Sequence, residues 1–339
     1  MKKPESLLPD NTGNIPVEHR SRPSISQMGH GSGLDEAMIR RSIKKGLRFS
    51  LNRMPRKWAG LLVERQPRLV PHLDSRDVPI RISNAYYGDC QFWLSNRYRI
   101  ESQILYHHCF DEKSLLYFMR IVKEGDVCVD VGANIGSLTL SLAHRVGHDG
   151  HVVAIEPGPV LADRLRRNVA ASNRTNVEVC EVGLSDAEGE LYWKLDTGPN
   201  AGNAFLSSEP TDIVVPVVAL DSLSSIKRHS HIDFIKIDVE GMEAAVIRGA
   251  MQTIQNHKPA ILIETLIDAD EGSSGRVAQV MGMLADLGYA TWEIDVPERQ
   301  LMSYAPAFTF IPCSYPNLPQ NTLCIHEARA DIVALASGG

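Results

Sequence analysis

A glycine turn at 130–136 (DVGANIG) is the feature that most constrains the fold of this chain. The apolar run before it, 127–131, predicts a buried strand, because β-branched residues pack well on a pleated surface. Apolar residues then recur at helical spacing over 135–146, and a second apolar run, 151–155, ends at Glu156. A strand, a glycine turn, a helix and an acid-tipped strand are together typical of a nucleotide-binding unit, in which the acid accepts hydrogen bonds from a ribose.

The spacing of the glycines separates the candidate cofactors. A dinucleotide fold carries G-x-G-x-x-G, whose bare helix N-terminus binds a pyrophosphate, whereas this turn has G-x-x-x-G. S-adenosylmethionine has no phosphate and carries an ammonium group, so it tolerates a fuller turn headed by an acid such as Asp130. We predict S-adenosylmethionine; a nicotinamide or flavin cofactor and a site without cofactor are the alternatives. Gly132 and Gly136 are expected to let the backbone approach the ligand where a Cβ would collide.

Composition excludes several classes of protein. Of 339 residues, 43% are hydrophobic and 22% are charged, which is typical of a globular chain with one large domain. A net charge of −6 argues against a nucleic-acid binder. The six cysteines are scattered without a C-x-x-C pair, so neither a disulfide framework nor a zinc site is expected. We expect no signal peptide and no membrane-spanning segment, and therefore a cytoplasmic protein.

The first 75 residues differ in character from the rest. Residues 1–33 are rich in Pro, Ser, Gly, Asn and His and are predicted to be a disordered tail. Residues 34–75 are a predicted basic helical extension, because apolar residues at helical spacing alternate there with Lys and Arg. Such an amphipathic helix either packs its apolar stripe on the body of the protein or lies on an anionic membrane surface. We favour packing; the alternative is a peripheral membrane contact through residues 38–58.

Strands alternate with helices along the remainder of the chain. Predicted strands lie at 80–82, 92–94, 127–131, 151–155, 177–182, 189–195, 213–220, 232–237, 260–263, 289–294 and 321–326, and predicted helices at 115–122, 135–146, 160–172, 242–254 and 277–287. This alternation predicts an α/β fold with a doubly wound, mostly parallel sheet. Residues 76–112 are expected to supply lead-in strands and a helix, and 113–330 the main domain. Residues 196–210, rich in Gly, Pro, Asn and Ser, are predicted to be a loop that forms a lid or substrate rim.

A second dense motif occupies 232–243 (IDFIKIDVEGME). Its strand ends near Asp238, so Asp238 and Glu240 are expected at the carboxyl end, where open α/β sheets bind their ligands. Glu264 ends the next predicted strand in the same way. Three carboxylates should therefore converge beside the cofactor. The alternative is that Asp238 or Glu240 only caps the helix that follows.

Taken in order, these motifs resemble the FkbM family of S-adenosylmethionine-dependent methyltransferases. The resemblance covers about residues 98–326 and rests on DVGANIG, Glu156-Pro157, IKIDVEGME, Gly249-Ala250 and LIE at 262–264. It implies a class I methyltransferase fold, a Rossmann-like seven-stranded sheet whose last hairpin makes one strand antiparallel. It also implies O-methylation, often of a sugar hydroxyl or a secondary metabolite. It does not extend to the first 75 residues.

The resemblance also assigns roles to residues. Those expected to bind the cofactor are Glu101, Asp130, Gly132, Ala133, Asn134, Gly136, Glu156, Pro157, Gly183, Leu184, Ser185 and Asp186. In this set Glu156 would bind the ribose hydroxyls, and Asp186 would accept from the adenine amine. Glu101 would face the cofactor or the substrate.

An acceptor hydroxyl is a poor nucleophile until its proton is withdrawn, so a general base or a metal is expected. The candidates are Asp238, Glu240 and Glu264, with a divalent cation such as Mg²⁺ held by these carboxylates as an alternative. His107 or His108 is a further alternative base. The acceptor is expected to be a small molecule or a glycan, not a nucleic acid. The competing function is a non-catalytic binding or membrane-associated scaffolding protein of the same fold; the intact glycines and acids favour the enzyme.

Overall fold

The computed structural model describes residues 77–95, 98–195, 204–265, 273–295 and 309–336. The predicted tail at 1–33 and the predicted basic extension at 34–75 lie outside the described residues, as does the part of the predicted loop at 196–203. Within the described ranges, no helix combines the length and the apolar character that crossing a bilayer requires.

The described residues form fourteen strands and nine α-helices. The strands are β1 (Val78–Asn84), β2 (Gly88–Leu94), β3 (Val127–Val131), β4 (His151–Ile155), β5 (Val177–Cys180), β6 (Gly183–Leu184), β7 (Gly189–Leu195), β8 (Ala204–Ser207), β9 (Val214–Val218), β10 (Phe234–Ile237), β11 (Ala260–Glu264), β12 (Tyr289–Asp295), β13 (Thr309–Pro312) and β14 (Asn321–His326). The helices are α1 (Arg99–His107), α2 (Glu112–Ile121), α3 (Ser137–Val146), α4 (Pro159–Ala171), α5 (Ser224–Lys227), α6 (Glu243–Gly249), α7 (Met251–His257), α8 (Ser273–Asp286) and α9 (Ala330–Ala336).

The main sheet has the strand order β13-β12-β14-β11-β10-β3-β4-β5. Its strands from β11 to β5 are parallel, and β14 is antiparallel to β11. The chain winds from β3 through β4 to β5 and then returns to β10 on the other side of β3. The strand order therefore reverses between β3 and β10, which is the position at which doubly wound sheets bind ligands at their carboxyl ends.

The sheet contains eight strands, one more than the seven that the resemblance implies. The extra strand is β13, which pairs antiparallel with β12 at the edge. It is short and ends in Pro312, which has no N–H to donate, as is common in edge strands. A run of four residues is too short to be recognised as a strand from its pattern.

The strands of the main sheet are buried on both faces. Every residue of β3 (VCVDV) and of β10 (FIKI) is buried, as expected for parallel strands covered by helices on each side. Val127, Val129 and Val131 face the aliphatic core that includes residues of α6, α7 and α8. Because side chains alternate along a strand, the other face of β3 carries Cys128 and Asp130, toward α3.

A second sheet, of order β6-β9-β7-β8, is formed by the strands that lie between β5 and β10 in the sequence. Its strand β8 pairs antiparallel with β7, so the expectation of an irregular loop over 196–210 is wrong for Ala204–Ser207. The partner strand β7 lies earlier in the chain, so the local composition of 196–210 does not predict the pairing.

The predicted helix at 242–254 is divided in two. Gly249 ends α6, and its backbone passes the carbonyl of Ser185 too closely for a Cβ.

Candidate active site

A cavity of about 310 Å³ lies at the carboxyl ends of β3, β10 and β11. It joins the two sequence motifs, because the glycine turn forms one part of its wall and the acidic end of β10 another. The residues expected from the sequence that line it are Gly132, Ala133, Asn134, Glu156, Asp238, Glu240 and Glu264. The predicted convergence of the three carboxylates of Asp238, Glu240 and Glu264 is therefore confirmed. Their position beside a cofactor stays a prediction.

The two glycines of the turn are required by contacts within the protein. Gly132 has φ +79°, and a Cβ there would lie 1.9 Å from the carbonyl oxygen of Asp238. Gly136 has φ +89°, and its Cβ would lie 2.6 Å from Leu165 Cδ1 on α4. Gly136 does not line the cavity, and its expected place beside the cofactor stays a prediction. The glycines let the turn pack against β10 and α4, whereas the sequence suggested close approach to a ligand.

Glu156 lies at the end of β4 and is held by the backbone of two turns. Its Oε2 accepts a hydrogen bond from Asn134 N–H at 2.8 Å, and its Oε1 accepts one from Gly158 N–H at 2.9 Å. Burial raises the pKa of this carboxyl to about 7, against the opposing effect of the two N–H donors. Each oxygen keeps a lone pair that can accept from a ribose hydroxyl, so the geometry fits the expected role of Glu156.

Asp130 lies beneath the turn and outside the cavity wall. The side chain is fully buried, and Oδ2 accepts a hydrogen bond from Thr139 Oγ1 of α3 at 2.6 Å. Burial raises the pKa of Asp130, while the ammonium of Lys236, 3.7 Å from Oδ1, opposes the rise. Asp130 therefore holds α3 against the sheet, and its expected contact with the cofactor stays a prediction.

Lys236 is the functional candidate that the sequence does not assign. Its Cα lies opposite that of Asp130 in the register of β10 and β3. The Nζ lies 3.1 Å from Asp238 Oδ2 and donates to the carbonyl of Gly132 at 3.4 Å, and the side chain lines the cavity. Burial lowers the pKa of the ammonium, but Asp238 and Asp130 reverse this and leave it raised. The sequence did contain one signal for this role, because Lys236 is a single charged residue inside the apolar run FIKI.

The three carboxylates at the ends of β10 and β11 form a compact cluster. One oxygen from each of Asp238, Glu240 and Glu264 lies within 4.8 Å of the others. Burial and the neighbouring Asp238 raise the pKa of Glu264 to about 9. Burial would also raise the pKa of Asp238, but Lys236 and a hydrogen bond with Glu264 hold it below its ordinary value. These opposite shifts favour one proton held by the pair at neutral pH, with Glu264 as the more readily protonated member.

The capping alternative for these acids is wrong. Met242 stands at the N-cap of α6, and the acid that accepts a backbone N–H at this helix start is Glu243, from Gly241 at 3.0 Å. Asp238 and Glu240 precede that position and line the cavity.

A smaller cavity of about 40 Å³ continues from the first on the side of β4. Of the residues expected to bind the cofactor, Pro157, Gly183 and Leu184 line it, together with Phe205 and Leu206 of β8. Its apolar wall suits the flat face of a base.

Two residues expected at the adenine lie elsewhere. Ser185 and Asp186 do not line the smaller cavity. Asp186 is exposed and forms an ion pair with Arg248 of α6 at 2.8 Å, and its expected bond to the adenine amine stays a prediction. The side chain of Asp186 is oriented by this partner from a distant part of the chain.

Three further candidates also fall outside the cavities. Glu101 is 1% exposed, accepts from Ser95 Oγ at 2.7 Å and pairs with Arg164 of α4 at 2.9 Å. It therefore connects α1 to α4, and its expected role at the cofactor or the substrate stays a prediction. His107 and His108 lie at the C-terminal end of α1 and do not line either cavity.

Comparisons with known proteins give similarity to methyltransferases. A family model described as the methyltransferase FkbM domain matches residues 130–290. The 31-O-demethyl-FK506 methyltransferase FkbM of Streptomyces tacrolimicus is 40% identical over 183 residues, which cover 44% of this chain and 68% of that protein. The hexuronic acid methyltransferase AglP of Haloferax volcanii is 28% identical over 134 residues, 40% of this chain and 54% of that protein.

Among solved structures, methyltransferase FkbM of Methylobacillus flagellatus KT has 17% sequence identity and a TM-score of 0.38, covering 79% of this chain and 60% of that one. The methyltransferase sdnD of Sordaria araneosa is a further curated relative, 27% identical over 225 residues, which cover 56% of this chain and 83% of that protein.

Proposed function

This chain belongs to the FkbM family of S-adenosylmethionine-dependent methyltransferases, and we propose that it methylates a hydroxyl of a sugar, a glycan or a secondary metabolite. One relative is named for 31-O-demethyl-FK506 and another for a hexuronic acid. The first name supports an oxygen as the methylated atom, and the second supports a sugar acid as a class of acceptor.

The observation that carries the proposal is the position of one carboxylate pair. Asp238 and Glu264 follow neighbouring parallel strands, β10 and β11, and line the same cavity as the glycine turn. A proton acceptor in the same cavity as a cofactor-binding turn is an arrangement that suits O-methylation.

The cavity residues fit the cofactor. Glu156 offers lone pairs to a ribose diol, the apolar wall with Phe205 and Leu206 suits adenine, and the acids balance an ammonium and a sulfonium. S-adenosylmethionine, when bound, supplies a methyl group that its sulfonium has already activated.

In this proposal the protein's own residues position and deprotonate the acceptor. Asp238 has a side chain that is 34% exposed, so an acceptor hydroxyl can reach it. Lys236 keeps Asp238 ionised, and the protonated Glu264 donates a hydrogen bond that orients it. Asp238 therefore takes the hydroxyl proton as the general base.

The same cluster is the place where a divalent cation such as Mg²⁺ would bind. Three carboxylate oxygens within 4.8 Å of one another are suitable hard ligands. The ammonium of Lys236, 3.1 Å from Asp238, already neutralises one of them and would repel a second cation. We therefore propose the carboxylate base and treat the metal as the competing outcome.

The test is transfer of a deuterated methyl group from labelled S-adenosylmethionine to glycan and small-molecule extracts of the native cell, read by mass spectrometry. We expect a labelled product with the full-length protein. Asp238→Asn should slow transfer by about 100-fold or more, while calorimetry shows its affinity for S-adenosylhomocysteine nearly unchanged. Asp163→Asn, on the exposed face of α4, is the matched control.

Chelation separates the two mechanisms. Activity that persists in EDTA supports the carboxylate base, whereas activity that is lost in EDTA and restored by Mg²⁺ supports the metal. Binding of S-adenosylhomocysteine without a labelled product from any extract would favour the non-catalytic alternative.

A further inference from the structure

Most of the ionisable residues that line the cavity are acids. Its acidic residues are Asp111, Glu156, Asp238, Glu240 and Glu264, and its cationic residues are Arg99 and Lys236. S-adenosylmethionine brings a carboxylate as well as two cationic groups. A carboxylate placed among acids needs a counter-charge, because like charges at short range in a protein repel strongly.

The ammonium of Lys236 already contacts two carboxylates and a carbonyl of the protein. Its ammonium contacts Asp238 at 3.1 Å, Asp130 at 3.7 Å and the carbonyl of Gly132 at 3.4 Å, beneath the wall of the cavity. Moving it to a ligand carboxylate would leave the buried Asp130 without a cation.

Arg99 is available. It lies in the first turn of α1 with an exposed side chain, and within the described part of the chain no residue forms an ion pair or hydrogen bond with it. Gln103, one helical turn later, lines the cavity on the same face of α1. Glu101 points to the other side and is paired with Arg164, so it does not neutralise Arg99.

We propose that Arg99 binds the carboxylate of the cofactor's methionine moiety, with the amide of Gln103 as a second donor. A guanidinium presents two parallel N–H groups that match the two oxygens of a carboxylate. The assignment rests on the proposed function, in which the cofactor occupies this cavity. It adds a cofactor-binding residue outside both sequence motifs.

The test compares two ligands by calorimetry with the full-length protein. S-adenosylhomocysteine carries the amino-acid group, and 5′-methylthioadenosine carries the same nucleoside without it. Arg99→Gln should weaken S-adenosylhomocysteine by about tenfold or more and leave methylthioadenosine within about twofold. Arg99→Lys should give an intermediate loss, because an ammonium keeps the charge without the paired donors.

Arg166→Gln is the matched control. It removes the same charge from α4, where Arg166 pairs with Glu181 at an exposed site, and should change neither affinity. Arg99→Gln with unchanged affinity for S-adenosylhomocysteine would overturn the assignment, as would an equal loss for both ligands. A wild-type protein that binds neither ligand would overturn the proposed function along with it.

Discussion

The charge of Glu156 changes near neutral pH because its carboxyl is buried. Burial raises the pKa of this carboxyl to about 7. Between the ordinary pKa of a glutamic acid and about 7, the unfolded chain releases the proton and the folded chain keeps it, so this group lowers stability as the pH rises through that window. A ribose diol that donates to Glu156 favours the ionised form and offsets this cost.

Cofactor affinity should therefore depend on pH near neutrality. The affinity of the wild-type protein for S-adenosylhomocysteine should rise by up to about tenfold between pH 6 and pH 8, because the ionised fraction of Glu156 rises over that range. Glu156→Gln should bind weakly at both values with little dependence on pH. Calorimetry at both values measures this; a flat wild-type profile would contradict it.

Gly132 ties the two motifs together through one backbone contact. A Cβ at this position would lie 1.9 Å from the carbonyl oxygen of Asp238, and φ is +79°. Gly132→Ala should therefore destabilise the fold by roughly 2 kcal/mol or more and weaken S-adenosylhomocysteine as β10 shifts. Gly275→Ala in α8, where a Cβ meets nothing within 4 Å, should be neutral or slightly stabilising. Urea denaturation compares the two variants, and equal stability would refute the clash.

At the scale of elements, β3 and β10 are joined by the buried ion pair between Asp130 and Lys236 as well as by their ladder. Lys236→Met should cost roughly 3–5 kcal/mol, since it leaves Asp130 buried without a cation. Adding Asp130→Asn should recover part of the loss. A double-mutant cycle in urea measures the coupling, and additive losses would show that the pair contributes nothing.

Strand β8 supplies an aromatic wall to the smaller cavity. Phe205 is 37% exposed and lines that cavity. Phe205→Ala should weaken S-adenosylhomocysteine and methylthioadenosine alike, by about 3- to 10-fold, because both carry adenine. Ile311→Ala on β13, also 37% exposed, is the control. Unchanged affinity for both ligands would place the adenine elsewhere.

Local patterns predicted the elements that carry their own signal. The runs at 127–131 and 151–155 agree residue for residue with β3 and β4, because these strands are apolar and bounded by glycine or acid. The short strands β8 and β13 were missed, since their partners lie far along the chain. The site followed the same division: strand-end acids such as Glu264 were predictable, whereas the ion pair that redirects Asp186 was not.

At the scale of the whole molecule, the hypothesis that residues 38–58 make a peripheral membrane contact can be tested directly. The favoured alternative predicts that the full-length chain does not prefer anionic vesicles. Replacing Arg40, Arg41, Lys44 and Lys45 with Gln should then leave sedimentation with phosphatidylserine vesicles unchanged. A loss of binding of about tenfold or more, absent with phosphatidylcholine, would establish the membrane alternative. Affinity for S-adenosylhomocysteine should be the same in both proteins.

The pairing of Lys236 with Asp130 also bears on how the sheet assembles. Side chains alternate along a strand, so sliding β10 by one residue against β3 would turn Lys236 toward the aliphatic face and set an isoleucine beside Asp130. Two charges would then be buried apart from each other. Misaligned sheets are thus strongly disfavoured during folding, and one ion pair selects the alignment in which the turn and the acceptor carboxylates meet.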